Sequence, residues 1–339
     1  MTLNDIWFIL FVVVISGYLI LDGFDMGVGM LHMIVAKTDE ERRISLNTIG
    51  PVWDGNEVWI VLGGGALFAA FPLVYASLFS GFYSAMMLVL IVMILRTCAI
   101  EFRSKKPSPR WRTVWDVIFS VTSLLLALLL GVAFGNIVRG VPIDASGNMQ
   151  VTLIELLNPF ALLVGLTSVA MLAMHGGIYL EIKTEGAIQQ RARGLIPSLL
   201  LVYTVLISLV VIVTFLFQDY LLINYQNNIW PIIFPLAAFV AVIMSWVLSR
   251  AGKYVQAFVA SSAVIALSVI TAATGLFPNM LISTTNAAFN LTIYNGASAN
   301  NTLAVMLVIA IIGLPFALLY TVVIYSLFRG KTRLDTRSY

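Results

Sequence analysis

Long apolar runs dominate this sequence, and they constrain its fold more than any other feature. A helix that crosses the hydrocarbon core of a bilayer needs about 20 predominantly apolar residues, because it rises about 1.5 Å per residue. Hydrophobic residues make up 60% of the chain and charged residues only 10%, too few for a water-facing surface. The sequence therefore predicts an all-α integral membrane protein with about nine transmembrane helices. The runs lie at residues 6–36, 52–76, 78–100, 115–138, 156–182, 196–217, 230–249, 256–277 and 303–328.

The connections between these runs are short, so residues 1–339 are predicted to form a single polytopic membrane domain. No basic segment precedes the first run at Ile6, and Asp22 and Asp25 stand where a signal peptidase would require small neutral residues. The first run is therefore predicted to be a retained helix. An alternative with eight spans would make one of the runs re-entrant.

The lysines and arginines predict the orientation of the chain. All but two of the 19 follow odd-numbered runs, and the exceptions are Arg96, inside the third run, and Arg139. Cytoplasmic loops carry an excess of Lys and Arg. The N-terminus is therefore predicted to lie outside and the C-terminus, with Arg337, in the cytoplasm. An external reading from a reporter fused to Tyr339 would contradict this topology. The net charge of +3 is explained by orientation, and no nucleic-acid partner is predicted.

Four carboxylates are predicted to lie in the cytoplasmic half of the membrane. Asp22 and Asp25 lie near the inner end of the first run, and Asp54 and Glu57 lie at the inner start of the second. The members of each pair are three residues apart and share a helix face. Arg96, near the inner end of the third run, is the predicted counter-charge.

A carboxylate at the bilayer centre costs a few kcal/mol, so such groups usually face a polar interior and mark ion or proton routes. Carboxylates close together also repel one another, which favours groups that load and release protons. Asp54, Glu57, Asp25, Asp22 and Arg96 are therefore predicted to form a proton pathway. In the structural alternative, Asp54 caps the second helix, and Glu57 pairs with Arg96 only to lock three helices together.

Other chemistry is poorly represented in the sequence. Haem needs axial ligands such as His, Met or Cys, and neither histidine, His32 or His175, is predicted to be one. The single cysteine, Cys98, allows no intramolecular disulfide and no thiolate metal cluster. No catalytic, cofactor-binding or metal-ligating residue is predicted in this chain. The small residues around Gly27 and at 63–65 are predicted to let helices approach closely.

Three motifs in the first two runs resemble subunit II of cytochrome bd-type quinol oxidases. They are Gly23-Phe-Asp-Met-Gly-Val-Gly29, Trp53-Asp-Gly-Asn-Glu-Val-Trp59 and Gly64-Gly-Ala-Leu-Phe-Ala-Ala-Phe-Pro72. Further matches are Glu101-Phe-Arg-Ser-Lys105, Gly131-Val-Ala-Phe-Gly-Asn136, Leu157-Asn-Pro-Phe160 and Lys183-Thr-Glu-Gly186. The similarity spans the whole chain and is strongest before Gly186.

The resemblance implies a terminal respiratory oxidase in a prokaryotic cell membrane, which reduces oxygen to water with electrons from ubiquinol or menaquinol. It implies that subunit I carries two b-type haems and haem d, and that this chain is its similarly folded partner and ligates no haem. Two four-helix bundles with a peripheral ninth helix are implied as well. In the family, the acid of the Trp-Asp-Gly-Asn motif, here Asp54, is associated with a cytoplasmic proton pathway, which makes Asp54 the leading proton carrier. Relatives can carry Gln at the position of Glu57 and need no histidine at that of His175.

Some relatives hold a structural quinone in this subunit, and the sequence leaves its presence open. It also leaves open which quinone is used, whether a small third subunit joins and which helices contact subunit I. Two other classes of function fit the acids: a proton-coupled secondary transporter and a purely structural membrane scaffold. Transporter sites usually lie near the midplane between repeats, whereas these acids are off-centre and no repeat is visible. A membrane complex without haem would favour the transporter, and haem with an unaffected Asp54 variant would favour the scaffold.

Overall fold

The chain folds into long α-helices joined by short connections in a computed structural model that describes residues 1–334. Arg337 and Tyr339, which entered the prediction of orientation, lie outside the described residues. Within that range, eight helices are long and apolar enough to cross a membrane, and one sharply bent helix pair makes up to nine spans. The prediction of an all-α integral membrane protein is confirmed.

The α-helices of residues 1–334 are numbered α1 to α13 in chain order. Two short antiparallel strands lie in the connection between the last two helices: β1 (Asn279–Leu281) and β2 (Leu291–Thr292). The helices are α1 (Leu3–Val35), α2 (Asp39–Asn47), α3 (Trp53–Ala70), α4 (Pro72–Gly81), α5 (Tyr83–Phe102), α6 (Pro109–Arg139), α7 (Leu153–Leu156), α8 (Pro159–Lys183), α9 (Gly186–Phe217), α10 (Asp219–Asn227), α11 (Ile233–Arg250), α12 (Tyr254–Leu276) and α13 (Asn300–Leu327).

The second predicted helix is broken, which corrects the prediction of one continuous helix over 52–76. The helices α3 and α4 meet at Phe71 with a bend of 120° between them. Phe71 leaves the helical conformation, with φ −131° and ψ 62°, and Pro72 takes the first position of α4. Proline lacks an N–H group and has a fixed φ, so it suits that position and interrupts the hydrogen bonding of a continuing helix. The next helix then begins after Phe82.

Two helices begin earlier in the structure than the sequence predicts. The structure starts α6 at Pro109 instead of residue 115, and α9 at Gly186 instead of residue 196. The added turns carry charged residues, among them Arg191 and Arg193. Apolar runs mark the part of a helix that lies in hydrocarbon, whereas hydrogen bonding continues into the polar layer, so hydropathy underestimates helix length.

The long helices pack in two groups of four spans with a peripheral helix beside them. The first group contains α1, the α3–α4 pair, α5 and α6, and the second contains α8, α9, α11 and α12. The contacts of α8 with α1 and α6 join the two groups. The last helix, α13, packs along α1 and α3 and is buried over only 6% of its most apolar segment. This arrangement is the one that the family resemblance implied.

Small residues allow the closest helix crossing, between α1 and α8. A Cβ atom added to Gly27 would lie 2.1 Å from the Leu172 carbonyl oxygen and 2.7 Å from the Gly176 Cα. The predicted close approach at Gly27 is therefore confirmed. Gly64 and Gly65 differ, because an added Cβ atom at either would meet no atom within 4 Å among the described residues. They line an outward-facing surface of this chain.

Candidate functional site

Arg96 joins two of the predicted acids inside the first helix group. Its Nη2 donates to Asp22 Oδ1 at 2.8 Å, and its Nη1 donates to Glu57 Oε1 at 2.9 Å. The Arg96 and Asp22 side chains are fully buried, whereas that of Glu57 is 17% exposed. A buried ion pair is tolerated only when its geometry and hydrogen bonding are good. The three side chains therefore connect α1, α3 and α5 through one charged triad.

Asp25 lies beside this triad and is fully buried. Its Oδ2 accepts a hydrogen bond of 2.8 Å from Asn56 Nδ2, which also donates to the Leu21 carbonyl at 3.1 Å. The Asp25 Oδ1, the Asp22 Oδ2 and the Tyr18 hydroxyl have no hydrogen-bond partner within residues 1–334. A buried polar atom without a partner costs about 1–3 kcal/mol, so a group of them calls for a functional explanation.

The peripheral helix reaches this site through one side chain. The Tyr325 hydroxyl, on α13, donates to Asn56 Oδ1 at 2.9 Å. Asn56 is only 2% exposed, so its whole amide group is enclosed by the protein. Neither residue could be predicted from the sequence, because an uncharged polar side chain in an apolar run does not reveal whether it is buried. The only signal for Asn56 was its position between Asp54 and Glu57 in the second motif.

Asp54 is not part of the buried cluster. It lies in the first turn of α3, is exposed, and has no hydrogen bond or ion pair to another described residue. The residue at the cap position of α3 is Val52, and no side chain caps this helix end. The alternative in which Asp54 caps the helix is therefore wrong. Asp54 and the half-buried Glu57 are one turn apart on α3. The Asp54 side chain points away from the protein, whereas that of Glu57 points toward Arg96.

Asp54 heads an outward-facing row of side chains on α3, which we call the outer stripe. The stripe consists of Asp54, Val58, Val61, Gly65 and Phe68, which follow one another at spacings of three or four residues. Val61 is 71% exposed and Phe68 is 60% exposed. A carboxylate at one end of an apolar face is costly when lipid covers it. The stripe therefore has the character of a contact surface.

A second polar cluster closes the end of the helix group where α1 ends. His32 Nε2 lies 2.9 Å from Asp116 Oδ1, and His32 Nδ1 lies 3.1 Å from the Ser45 hydroxyl. Asp116 also accepts from Arg103 Nε at 2.5 Å and from Arg42 Nη1 at 3.2 Å. These contacts tie together the ends of α1, α2, α5 and α6. Asp116, the partner of His32, was not predicted from the sequence, because it lies 84 residues away.

The two histidines do not suit haem. His175 Nδ1 lies 2.7 Å from the Ser261 hydroxyl, its Nε2 lies 3.1 Å from the Ile20 carbonyl oxygen, and its ring stacks on Phe258 at 4.4 Å. Both ring nitrogens of His175 and of His32 are thus held in hydrogen bonds, whereas an axial ligand needs a free one. In the described part of the chain, no group of three or more His, Cys, Asp or Glu residues is placed to hold a metal ion.

An ion pair at the start of α9 connects the second helix group to the short helix α2. Arg191 Nη1, on α9, donates to Glu41 Oε2, on α2, at 2.7 Å. The same carboxylate accepts from the backbone N–H groups of Lys37 and Thr38 and closes a capping box at the start of α2. The Arg191 guanidinium beside Glu41, together with these N–H groups, holds the pKa of the Glu41 carboxyl below its ordinary value.

Comparison with known proteins gives a consistent family. The family model described as cytochrome bd terminal oxidase subunit II matches residues 3–328. The cytochrome bd-I ubiquinol oxidase subunit 2 of Escherichia coli strain K12 is 37% identical over 361 residues, covering 97% of this chain and 95% of the relative. The cytochrome bd ubiquinol oxidase subunit 2 of Bacillus subtilis is 35% identical, covering 97% of each chain. A probable cytochrome oxidase subunit 2 of Haemophilus influenzae is 37% identical.

One solved structure has the same fold along almost the whole chain. It is a chain of the bd oxidase from Geobacillus thermodenitrificans, which matches with a TM-score of 0.78 and covers 97% of this chain and 99% of that one. The two sequences are 18% identical. The helix arrangement described above therefore agrees with a known fold over its full extent.

Proposed function

Because the chain belongs to the subunit II family of cytochrome bd terminal oxidases, we propose that it pairs with a haem-bearing subunit I and supplies protons for the reduction of oxygen to water. The names of the relatives support a quinol as electron donor. Since both histidines of this chain are engaged elsewhere, we assign the two b-type haems and haem d to subunit I. The protonatable side chains are then what this chain contributes to the reaction.

One observation carries the proton-pathway proposal: the half-buried Glu57 pairs with the buried acid cluster and lies one helical turn from the exposed Asp54. Asp22 and Asp25 each keep one carboxylate oxygen free of hydrogen bonds. Glu57 lies between the cluster and the outer stripe, and Asp54 is one helical turn from it. Carboxylates placed in this order can exchange protons between the interior and the surface of α3.

The contacts suggest how the cluster handles a proton. A proton on Glu57 removes the negative charge that faces Arg96 Nη1 and leaves Arg96 paired with Asp22 alone. The free oxygens of Asp25 and Asp22 are the positions where a further proton can bind, because their other oxygens already accept hydrogen bonds. Asp54 exchanges protons at the outer stripe, where we place the contact with subunit I.

Replacement of Asp54 by Asn tests the pathway. We expect oxygen consumption with quinol to fall on the order of a hundredfold, because a positioned proton donor or acceptor typically contributes at least that much. Assembly with subunit I and haem content should persist, since Asp54 has no partner whose loss would disturb the fold. Asp219→Asn is the matched control, because Asp219 is also an exposed aspartate in the first turn of a helix. Normal turnover of the Asp54 variant would refute the pathway.

The same variant separates the alternatives. A purely structural scaffold would tolerate Asp54→Asn with unchanged turnover in a complex that retains haem. A proton-coupled secondary transporter is not favoured, because the family match extends over residues 3–328 and leaves no unmatched transport domain. We further propose that the N-terminus faces outside and that the His32 cluster faces the cytoplasm, where the basic residues are expected.

A further inference from the structure

We infer that Tyr325, on the peripheral helix α13, is a positioning residue for Asp25 and acts through the side-chain amide of Asn56. The inference rests on the proposed function, since the position of Asp25 matters to turnover only if Asp25 handles protons. It assigns a role in the acid cluster to a helix that otherwise lies at the edge of the molecule.

The orientation of the Asn56 amide follows from its three neighbours. The Leu21 carbonyl can only accept, so the Nδ2 group of Asn56 must face it. Asn56 Oδ1 then faces the Tyr325 hydroxyl, and the remaining N–H of Nδ2 is directed to Asp25 Oδ2 at 2.8 Å. Tyr325 thus provides the partner for an oxygen that would otherwise be buried without one. The Tyr325 hydroxyl binds the oxygen of the Asn56 amide, and the nitrogen of the same amide binds Asp25.

Contacts along α13 fix the position of Tyr325. The Tyr325 ring stands edge-on to Phe24, the residue before Asp25, with 6.3 Å between ring centroids. One and a half turns earlier, the Tyr320 ring covers Gly55, where an added Cβ atom would lie 2.8 Å from its Cε1. The helix therefore lies directly on the first turn of α3, which carries Asn56.

The chain after α13 is anchored by reciprocal lysine contacts with the end of α8. Lys183 Nζ donates to the carbonyls of Phe328 and Gly330, the latter at 2.9 Å. Lys331 Nζ donates in return to the carbonyls of Glu181, at 3.1 Å, and Thr184, at 2.9 Å. Because an ammonium group brings up to three donors to each set of carbonyls, these contacts restrict sliding of α13 along its axis. The lysine contacts therefore fix the position of Tyr325 along the helix axis relative to Asn56.

Tyr325→Phe in the complete oxidase removes the hydroxyl and keeps the ring. We expect kcat, expressed per haem, to fall about three- to tenfold, the size expected for one lost hydrogen bond. The KM for quinol and the haem content should not change, because the lost hydroxyl bonds Asn56 in the interior of this chain. Tyr320→Phe is the control, since it makes the same change on the same helix without a hydrogen bond to Asn56. It should leave kcat unaltered.

A double variant shows whether Tyr325 acts through Asp25. In an Asp25→Asn background, Tyr325→Phe should cause no further loss, because residues that act through one another are not additive. An unchanged kcat in Tyr325→Phe alone, or a full additional loss in the Asp25→Asn background, would overturn the inference. If Asp25→Asn itself turns over normally, the proposed proton role of Asp25 fails. If Asp25→Asn is slow while Tyr325→Phe is normal, only the positioning role fails.

Discussion

At the scale of single residues, the buried Arg96 holds the buried Asp22 and the half-buried Glu57 inside the first helix group. The burial of Asp22, Asp25 and Arg96 could be predicted, because a charged side chain within an apolar run avoids lipid by facing the protein interior. The outward direction of Asp54 could not, since residues three positions apart differ by about 60° around a helix. That angle is enough for Glu57 to reach the interior while Asp54 points away from it. The neighbours of a helix decide this difference, and they are not visible in one sequence.

Removal of Arg96 should destabilise the protein strongly. Arg96→Met leaves Asp22 and Glu57 without their counter-charge, and breaking a buried pair in this way typically costs about 3–5 kcal/mol. We expect a lower midpoint of thermal unfolding for the purified complex in detergent. Combining Arg96→Met with Asp22→Asn and Glu57→Gln should restore most of the loss, because the triad then contains no unpaired charge. A single variant as stable as the wild type would contradict the triad.

At the scale of elements, hydropathy located the membrane-crossing segments but not their breaks or their polar ends. The bend at Phe71 depends on Pro72, and a proline in an apolar run is compatible with either a kink or a new helix. The early starts of α6 and α9 lie outside the apolar runs that predicted these helices. Contacts between elements could not be predicted either, because their residues lie far apart in the sequence. Glu41 and Arg191 are separated by 150 residues.

The contact between α2 and α9 should depend on pH in a defined direction. The folded-state pKa of Glu41 lies below its ordinary value of 4.5. Its contribution to stability is therefore fully present above about pH 5 and is lost as the pH falls through the folded-state value. The difference in thermal midpoint between the wild type and Glu41→Gln should be largest near neutral pH and should close in acid. Glu40→Gln, which removes the charge of an exposed neighbouring carboxylate, is the control for the general effect of losing one charge.

At the scale of the whole molecule, the fold provides one face suited to a large partner. The outer stripe combines exposed apolar side chains with Gly65, whose surroundings are open. Small residues at such positions let helices of two subunits approach closely. Close packing is predicted at 63–65, but one sequence does not show whether the neighbouring helix belongs to the same chain. Gly63 packs against Ile15 of this chain, whereas the absence of a neighbour for Gly65 among residues 1–334 favours a helix of subunit I.

A large side chain in the outer stripe should weaken assembly. Gly65→Leu would project into the space that we assign to subunit I, and we expect less subunit I and less haem to co-purify with the variant. Gly313→Leu makes the same change on α13, where an added Cβ atom also meets nothing in the described chain. It should leave co-purification unchanged. Equal recovery of subunit I with both variants would rule out the stripe as the shared surface.

The hydrogen bond between Tyr325 and Asn56 has a consequence for biogenesis. Chains are synthesised from the N-terminus, so α1 and α3 enter the membrane long before α13 leaves the ribosome. Until then the side-chain oxygen of Asn56 lacks a hydrogen-bond partner. The amide that binds Asp25 is fixed only through its nitrogen. Completion of the acid cluster thus coincides with arrival of the last membrane helix described in this chain. A nascent subunit II that has not yet inserted α13 therefore carries the acid cluster in an unfinished arrangement.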